Sequence, residues 1–166
     1  MKLKITILIA FLTFNIQGQT TNYSTDKNIN YCSESFSTDA YLQERCILDI
    51  NYPNNQKGFP TIVWFHGGGL TGGEKEIPKA LQEKGVVIIG VNYRLYPKIK
   101  APTYIDDSAA DVEWAFKNIE EYGGDPTKIF VFGHLAVTQS LILQLEKKEA
   151  LTATTIVDEH SALISC

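Results

Sequence analysis

The chain has 166 residues, which predicts one domain, and its 44% hydrophobic and 20% charged residues are ordinary for a globular protein. The formal net charge of −4 argues against a general nucleic-acid binder, because no basic stripe is present to neutralise phosphates. The three histidines and three cysteines are scattered without ligand spacing, so the sequence predicts no metal site, and no cofactor is expected.

The first segment is typical of a secretory signal peptide. The short basic start at residues 1–4 precedes an almost wholly apolar run at 5–16, and polar residues then break the run. Cleavage is expected between Gly18 and Thr20, which would place the protein in the periplasm or outside the cell. A membrane anchor is the alternative, but a bilayer span needs about 20 apolar residues and this run is shorter. No stable membrane anchor is therefore expected after cleavage.

Export would make disulfides possible, and Cys32 and Cys46 lie early in the mature chain. A bridge between them would close a small loop, worth about 3 kcal/mol in the chain-entropy model. Two free buried thiols are the alternative, and their pairing depends on geometry that spacing does not give. Cys166 has no obvious partner.

Hydrophobic periodicity from Arg45 onwards predicts alternating strands and helices. The strand candidates are short β-branched and aromatic runs, apolar on both faces after the first, and the helix candidates carry apolar residues at helical spacing. The predicted elements are strand 46–52, strand 61–65, helix 74–84, strand 86–91, helix 103–122 and strand 129–132, with a further helix candidate at 138–147.

This alternation predicts an α/β protein with a doubly wound parallel sheet. The polar stretch before it is interpreted as an extended lead-in, and the last residues as a divergent tail. The predicted organisation is a signal peptide at 1–19, a lead-in segment at 20–44, a partial α/β domain at 45–148 and a tail at 149–166.

Two loops follow predicted strands at the edge of the sheet where such proteins bind ligands. The first is the run His66, Gly67, Gly68 and Gly69, directly after the strand 61–65. Consecutive glycines leave backbone N–H groups free to point into a site, and two such donors can stabilise the oxyanion of an acyl-transfer intermediate. A plain glycine-rich turn is the alternative interpretation. The second loop begins at Gly133, after the strand 129–132.

In order and spacing, several stretches resemble the α/β-hydrolase fold. They are similar to the esterase and lipase branch with the His-Gly-Gly-Gly motif, which includes feruloyl-esterase-like and hormone-sensitive-lipase-like enzymes. The stretches that carry the resemblance are Trp64–Gly69, Val91–Leu95, Pro102 with Asp106 and Asp107, Trp114, Tyr122–Pro126 and Ile129–His134.

The resemblance implies a carboxylic-ester hydrolase with a small ester as substrate or ligand. It implies an oxyanion hole formed by Gly68, Gly69 and the amide of Ala136. The residues expected to support these loops are His66, Gly67, Gly133 and His134. It also implies that the region of Tyr93 and Arg94 supports the loops. From the residues themselves, Arg94 is expected to pair with Asp106 or Asp107. Trp114 is expected to fill the core.

The sequence departs from the family at the nucleophile. The family pattern is Gly-x-Ser-x-Gly, in which the serine sits on a strained strand-to-helix turn. This chain keeps Gly133, His134 and Ala136, but Leu135 stands at the serine position and Val137 at the second glycine. Leucine has no nucleophilic atom, so no acyl-enzyme is expected at this position. The branched Val137 is expected to distort the turn itself.

The acid and the histidine of the family's triad follow the serine on later strands. Only about 30 residues follow the nucleophile position here, and they hold Asp158, Glu159 and His160 side by side. These three are predicted to be a solvated tail and not a relocated acid and base. Ser140 and Ser161 are predicted to be ordinary surface residues.

The strand 129–132 is expected to be an edge that is apolar on both faces, because later family strands are missing. Such an edge would invite self-association. Three hypotheses follow: a truncated and inactive member of an exported ester-hydrolase family, a non-catalytic binding protein that uses the hydrolase cleft, or an active esterase completed by a partner chain. The first is the one that Leu135 favours.

Overall fold

The computed structural model describes residues 21–32, 38–133, 154–158 and 161–165. Within these ranges, no helix is long and apolar enough to cross a bilayer. The predicted signal peptide and the helix candidate at 138–147 lie outside the described residues and stay predictions. The elements are β1 (Tyr23–Asn30), α1 (Ala40–Arg45), β2 (Ile47–Pro53), β3 (Phe59–Phe65), β4 (Val87–Val91), α2 (Thr103–Asn118), a 3₁₀ turn (Ile119–Tyr122), β5 (Gly124–Gly133), β6 (Thr154–Asp158) and β7 (Ser161–Ser165).

The strands form one mixed sheet in the order β1-β2-β4-β3-β5-β7-β6. The central strands β4, β3 and β5 are parallel, and the flanking strands on both sides pair antiparallel. The predicted α/β-hydrolase fold class is confirmed, and the parallel arrangement holds for the centre of the sheet. The antiparallel direction of the flanks was not predicted. The strand at 46–52 was expected and corresponds to β2, whereas β1 is too polar and β6 and β7 are too short to stand out in the sequence.

The parallel register brings the ends of the three central strands together. Phe65 at the end of β3 pairs with Val91 of β4 on one side and with Gly133 of β5 on the other. The carboxyl ends of these three strands therefore lie side by side at one edge of the sheet. This is the edge where the first predicted loop begins.

The hydrophobic core lies on the central strands. All five residues of β4 are buried, as expected for a parallel strand covered on both faces. Fully buried large side chains of the core include Leu48, Ile50, Val63, Phe65, Ile89, Tyr93, Ile119 and Ile129. Trp114 is only partly buried and packs against this core from outside it, so the prediction that it fills the core is wrong in detail.

The buried face of α2 differs from the predicted one. Its buried residues are Asp107, Ser108, Asp111, Val112 and Ala115, so two carboxylates face inwards. Ile105 and Phe116, two of the apolar residues at helical spacing in the predicted helix 103–122, are only half-buried. Asp107 faces inwards and pairs with Arg94, which is only partly buried, as described below.

The predicted helix at 74–84 is not formed: the segment is irregular to residue 78 and then turns. The chain passes close over β4, where a Cβ on Gly90 would lie 2.3 Å from the carbonyl oxygen of Glu76. The backbone N–H of Lys75 donates to Asn92 Oδ1, over 2.5 Å. These anchors hold residues 74–76 against the sheet, and they override the helical spacing of the apolar residues that follow.

Both ends of the predicted domain extend further than expected. The lead-in segment 20–44 contains β1 and α1, and β1 pairs with β2 from Tyr23↔Pro53 to Asn30↔Ile47. The tail contains β6 and β7, and β7 pairs with β5 at Phe130 and Val131. The prediction of an exposed edge at 129–132 is therefore wrong, and with it the basis for self-association through that edge. Asp158 belongs to β6 and not to an unstructured tail.

The two early cysteines come together but are not bridged. Cys32 and Cys46 are free thiols in the structure, with their sulfur atoms within 4.8 Å of each other. The disulfide that their spacing allowed is therefore absent, and the alternative of two free thiols holds. Cys46 is fully buried and Cys32 is half-buried.

Candidate functional site

The candidate site is built on the glycine-rich loop that follows β3. Gly68 has φ +123° and Gly69 has φ +62°, which are backbone conformations that favour glycine. A Cβ on Gly68 would lie 2.1 Å from the carbonyl oxygen of Gly72, so the loop folds back on itself without room for a side chain. The loop turn is closed by the N–H of Thr71, which donates to the Gly68 carbonyl over 3.1 Å.

The N–H groups of Gly68 and Gly69 donate to no acceptor among the residues that the structure describes, and both residues are exposed. Their amides are thus available to a ligand at the edge where the central strands end. Gly68 and Gly69 lie on the loop that follows β3, and their role as oxyanion-hole donors stays a prediction.

His66 begins the loop, and Tyr93 contacts both its ring and its backbone carbonyl. Its ring stacks on the ring of Tyr93, with centroids 4.5 Å apart and planes at 10°. The hydroxyl of Tyr93 donates to the backbone carbonyl of His66 over 2.9 Å. Burial raises the pKa of Tyr93 to about 12, so this hydroxyl stays protonated and can donate. The contact fixes the start of the loop to the chain that follows β4.

The hydrogen bonds of His66 define its tautomer. Its Nδ1 lies 2.7 Å from the carbonyl oxygen of Gly67, so Nδ1 carries the proton. Its Nε2 lies 3.2 Å from a guanidinium nitrogen of Arg45, which can only donate, so Nε2 is the acceptor. Burial, and then the Arg45 charge, lower the pKa of His66, although the Gly67 carbonyl opposes them. The ring is a neutral support of the loop with neither nitrogen free for proton transfer.

Arg45 connects the loop to the rest of the fold. It is the last residue of α1 and is 3% exposed. Its Nε donates to the carbonyl of Tyr93 over 3.1 Å, and one terminal nitrogen donates to the carbonyl of Gly73 over 3.0 Å. The other terminal nitrogen pairs with Glu74 at 2.6 Å. The same guanidinium also contacts the ring of His66. Arg45 therefore joins both ends of the glycine loop, His66 and Gly73, to Tyr93, which follows β4.

Glu74 completes this network on the solvent side. It accepts from Arg45 and, over 2.8 Å, from the side-chain amide of Asn92. Partial burial of the carboxyl opposes its ionisation, but the Asn92 hydrogen bond and the Arg45 charge prevail and lower the pKa of Glu74. The carboxylate of Glu74, directly after the glycine loop, is therefore charged and held by Arg45 and Asn92.

A second clamp lies behind the loop. Arg94 donates through its side chain to both carboxylate oxygens of Asp107, and its backbone N–H donates to the same carboxylate over 3.0 Å. The expectation that Arg94 pairs with Asp106 or Asp107 is confirmed for Asp107, which is 3% exposed, whereas Asp106 is exposed. This pair joins the chain after β4 to α2.

A cleft of about 370 Å³ lies beside the second half of the loop. Its walls include Thr71 and Gly72 on one side and Tyr41, Tyr96 and Lys98 on the other. The ammonium of Lys98 stands 4.3 Å from the centre of the Tyr41 ring. The backbone N–H of Tyr96 donates to the carbonyl of Leu70 over 2.8 Å, which joins the cleft wall to the loop.

The second predicted loop is described only at its first residue. Gly133 ends β5 next to Phe65, so the segment after it starts beside the glycine loop, as predicted. The predicted site residues that lie outside the described residues are His134, Leu135, Ala136, Val137, Ser140, Glu159, His160 and Cys166. Asp158 and Ser161 pair across the β6–β7 hairpin.

Two groups of residues in the structure were not predicted from the sequence. Arg45, Glu74 and Asn92 were not identified, because their contacts span 18 to 48 positions of the chain. The only available signal was a lone arginine before a strand. Cys32, Cys46 and Asp107 form a potential metal-binding group that ligand spacing did not reveal, since the residues come from separate elements.

The chain is similar to known proteins over most of its length. The family model described as BD-FAE matches residues 48–160. Fumonisin B1 esterase of Sphingopyxis macrogoltabida is 35% identical over 128 residues, which cover 64% of this chain and 24% of that protein. Carboxylesterase NlhH of Mycobacterium tuberculosis is 37% identical over 89 residues, which cover 51% of this chain and 28% of that protein.

The structure agrees with this similarity at the level of the fold. Esterase B of Lactobacillus rhamnosis superposes with a TM-score of 0.58 at 22% identity, covering 68% of this chain and 35% of that chain. The chain spans 24% and 28% of the length of the two curated relatives named above. The matched part contains the glycine loop and the end of β5.

Proposed function

The chain belongs to the BD-FAE family of α/β-hydrolase esterases, and from this premise we propose that it carries the oxyanion-binding part of an exported carboxylic-ester hydrolase. We propose further that it does not hydrolyse esters through an acyl-enzyme. The single observation that carries this second step is Leu135, which stands at the position of the nucleophilic serine in an otherwise well-kept motif order.

The glycine loop supports the binding half of the proposal. In ester hydrolysis, attack on the carbonyl carbon moves negative charge onto the carbonyl oxygen, and fixed N–H donors stabilise that charge. The amides of Gly68 and Gly69 are exposed and donate to no described residue. Arg45 and Tyr93 fix the loop before any ligand arrives, so little reorganisation is needed when an oxyanion or a carbonyl oxygen binds.

The chemistry that the chain lacks is the nucleophilic step. A serine would form the bond to the carbonyl carbon and pass its proton to a base, whereas a leucine side chain has no lone pair to donate. His66 cannot replace the base, because both ring nitrogens are already engaged, by Gly67 and by Arg45. In this proposal, the chain binds the carbonyl oxygen of an ester and does not hydrolyse the ester.

The first test is an esterase assay. The purified chain, without residues 1–19, is incubated with p-nitrophenyl acetate beside a heat-killed sample of the same preparation. We expect the rates of p-nitrophenolate release to agree within about twofold, since without a nucleophile only non-specific acceleration remains. Heat-sensitive hydrolysis well above the control would contradict the proposal, and would favour an active esterase completed by a nucleophile elsewhere.

A serine variant sharpens the test. Leu135→Ser restores a hydroxyl but leaves Val137 at the position of the second glycine in the family pattern, so we expect no gain in rate. Strong activity in Leu135→Ser alone would show that the rest of the machinery is intact. If the wild-type chain itself proves active, the double variant Ser140→Ala with Ser161→Ala decides whether either serine is responsible.

A non-catalytic binding protein is the second candidate function, favoured by the amides of Gly68 and Gly69, which donate to no described residue. Its test is a titration with acetate, the product-like carboxylate, followed by amide NMR. We expect shifts at Gly68 and Gly69 and none at Gly58, a loop glycine whose N–H already donates to the Gly123 carbonyl over 2.9 Å. Uniform shifts, or none, would argue against ligand binding at the loop.

A further inference from the structure

A cluster of potential metal ligands lies away from the glycine loop, between β1, β2 and α2. The sulfur atoms of Cys32 and Cys46 and a carboxylate oxygen of Asp107 all lie within 4.8 Å of one another. Cys46 and Asp107 are buried and Cys32 is half-buried. Neither the glycine loop nor the Arg45 network uses these three side chains as a unit.

The sheet itself brings the two cysteines together. The β1–β2 pairing ends at Asn30↔Ile47, and the hydrogen bond from the N–H of Tyr31 to the carbonyl of Cys46, 3.4 Å long, continues it by one residue. The N–H of Cys32 then donates to the side chain of Asn30 over 2.8 Å. The backbone on both sides is therefore fixed before any ion binds.

Asp107 is oriented by Arg94, which donates to both of its oxygens. Each carboxylate oxygen accepts two hydrogen bonds from Arg94, so a metal has to replace one of them. The longest is the contact of Nε with Oδ1, at 3.2 Å, and the other three would still hold the carboxylate. Carboxylates that bind metals are commonly held by hydrogen bonds of this kind, which fix the ligand and tune its charge. Arg94 therefore fits the role of an outer partner of a ligand.

We propose that Cys32, Cys46 and Asp107 form a binding site for a thiophilic divalent cation, Zn²⁺ in the first place. Two sulfurs and one oxygen suit zinc, which binds thiolates, imidazoles and carboxylates in a tetrahedral arrangement. Three protein ligands leave a fourth position for water or another small ligand. The proposal is independent of esterase function, because it involves none of the residues of the glycine loop.

The charges of such a site balance. Binding converts two thiols to thiolates and releases two protons, which gives three negative charges with Asp107. The divalent ion and the Arg94 guanidinium together supply three positive charges.

The geometry needs only a small closure. With metal–sulfur bonds of about 2.3 Å and a metal–oxygen bond of about 2.0 Å, tetrahedral ligand atoms are roughly 3.5–3.8 Å apart. The three atoms here lie within 4.8 Å of one another, so side-chain rotation can close the site. Cys32 and Asp107 also line a cavity of about 540 Å³, together with Arg94 and Trp114, which gives an ion a path from solvent.

The test uses the purified chain, kept reduced, and Co²⁺ as a coloured substitute for Zn²⁺. We expect one Co²⁺ per chain, with the thiolate charge-transfer band and the intense visible bands of a tetrahedral sulfur site. Zn²⁺ should displace Co²⁺ one for one and release about two protons per ion when added to the metal-free chain. Circular dichroism checks that the chain is folded throughout.

The variants separate this site from other thiols. Cys32→Ser and Cys46→Ser should each remove most of the charge-transfer band and weaken Zn²⁺ binding at least about tenfold, since even outer partners of ligands are worth that much. Cys166→Ser, the matched control, should leave both unchanged. The proposal is overturned by a folded, reduced chain that binds no Co²⁺, by bands that persist in both the Cys32 and Cys46 variants, or by isolation of the chain with these two cysteines bridged.

Discussion

Two buried charged residues, Arg45 and Asp111, are treated in opposite ways by this fold. Arg45 is 3% exposed and its guanidinium contacts four groups: the carbonyls of Tyr93 and Gly73, the His66 ring and the Glu74 carboxylate. Asp111 is fully buried on α2, and neither carboxylate oxygen has a hydrogen-bond partner among the described residues. The two residues are equally hidden, but only Arg45 has its charge compensated.

Arg45 and Asp111 differ in whether hydrogen-bond partners compensate the cost of burying a charge. An ion that leaves water must recover its hydration from fixed partners, or it must lose its charge. The hydrogen bonds of Arg45 replace its lost hydration, and they also fix the glycine loop. Burial raises the pKa of Asp111 well above its ordinary value, so Asp111 stays protonated in the folded chain. The contacts of Arg45 therefore stabilise the loop, whereas Asp111, which has no hydrogen-bond partner in the described part of the chain, costs stability at pH 7.

The largest expected effect comes from removing the compensated charge. Arg45→Met leaves the carbonyls of Tyr93 and Gly73 without their donor, and we expect the free energy of unfolding to fall by about 3–5 kcal/mol. Arg45→Lys keeps the charge but not the fork of donors, so it should recover less than half of that loss. Chemical denaturation at pH 7 measures both.

The control for this comparison is Lys98→Met, which removes an exposed cation paired with Glu44 at 3.7 Å. We expect a change within about 0.5 kcal/mol, because exposed pairs contribute little. If Arg45→Met and Lys98→Met had equal effects, the Arg45 network would not hold the loop, and the contrast with Asp111 would disappear.

Asp111 gives an effect of opposite sign. Asp111→Asn removes the titrating group, and we expect the free energy of unfolding at pH 7 to rise by about 1–3 kcal/mol. The folded chain binds this proton more tightly than the unfolded chain does. The stability from Asp111 is therefore complete below the unfolded pKa of about 3.9, and it is lost as pH rises towards the raised folded pKa, by up to about 1.4 kcal/mol per pH unit.

Denaturation curves between pH 4 and pH 8 would show this slope in the wild type and its loss in Asp111→Asn. Tyr31 is the neighbouring titratable group, and its own pKa is raised by burial first and by Asp111 among several charges, so it does not titrate in this range. The exposed Asp106 on the same helix is the matched control, and Asp106→Asn should leave the slope unchanged. An unaltered slope in Asp111→Asn would mean that another group causes it.

The strands at the centre of the sheet could be predicted from the sequence, whereas the first strand at its edge could not. The central strands were found because continuous apolar runs such as Thr61–Phe65 are needed wherever a parallel strand is covered on both faces. The first strand, Tyr23–Asn30, escaped detection because it lies at the edge, where polar residues are tolerated. Local pattern thus reveals the centre of a sheet better than its margins.

The site was predictable only where its chemistry is local. The run His66–Gly69 identified the loop, because free backbone amides require consecutive glycines. Arg45 could not be found in this way, since it acts through groups 21 to 48 positions away. The helix expected at 74–84 failed for the same reason: Glu74 and Lys75 are held by distant partners, which outweigh local helical spacing.

The smallest expected effect tests a single hydrogen bond of the compensated region. Tyr93→Phe removes the hydroxyl that donates to the His66 carbonyl but keeps the ring that stacks on His66, so we expect a loss of about 1 kcal/mol in unfolding free energy. Tyr96→Phe, at a ring that is 51% exposed, should change stability by less than about 0.5 kcal/mol.

Ring-nitrogen NMR should still find His66 neutral with its proton on Nδ1 at pH 6.5, since Arg45 and Gly67 fix that tautomer in both variants. A charged His66 at that pH would show that the Arg45 network does not hold the ring, because a second proton on Nε2 would have to face the guanidinium.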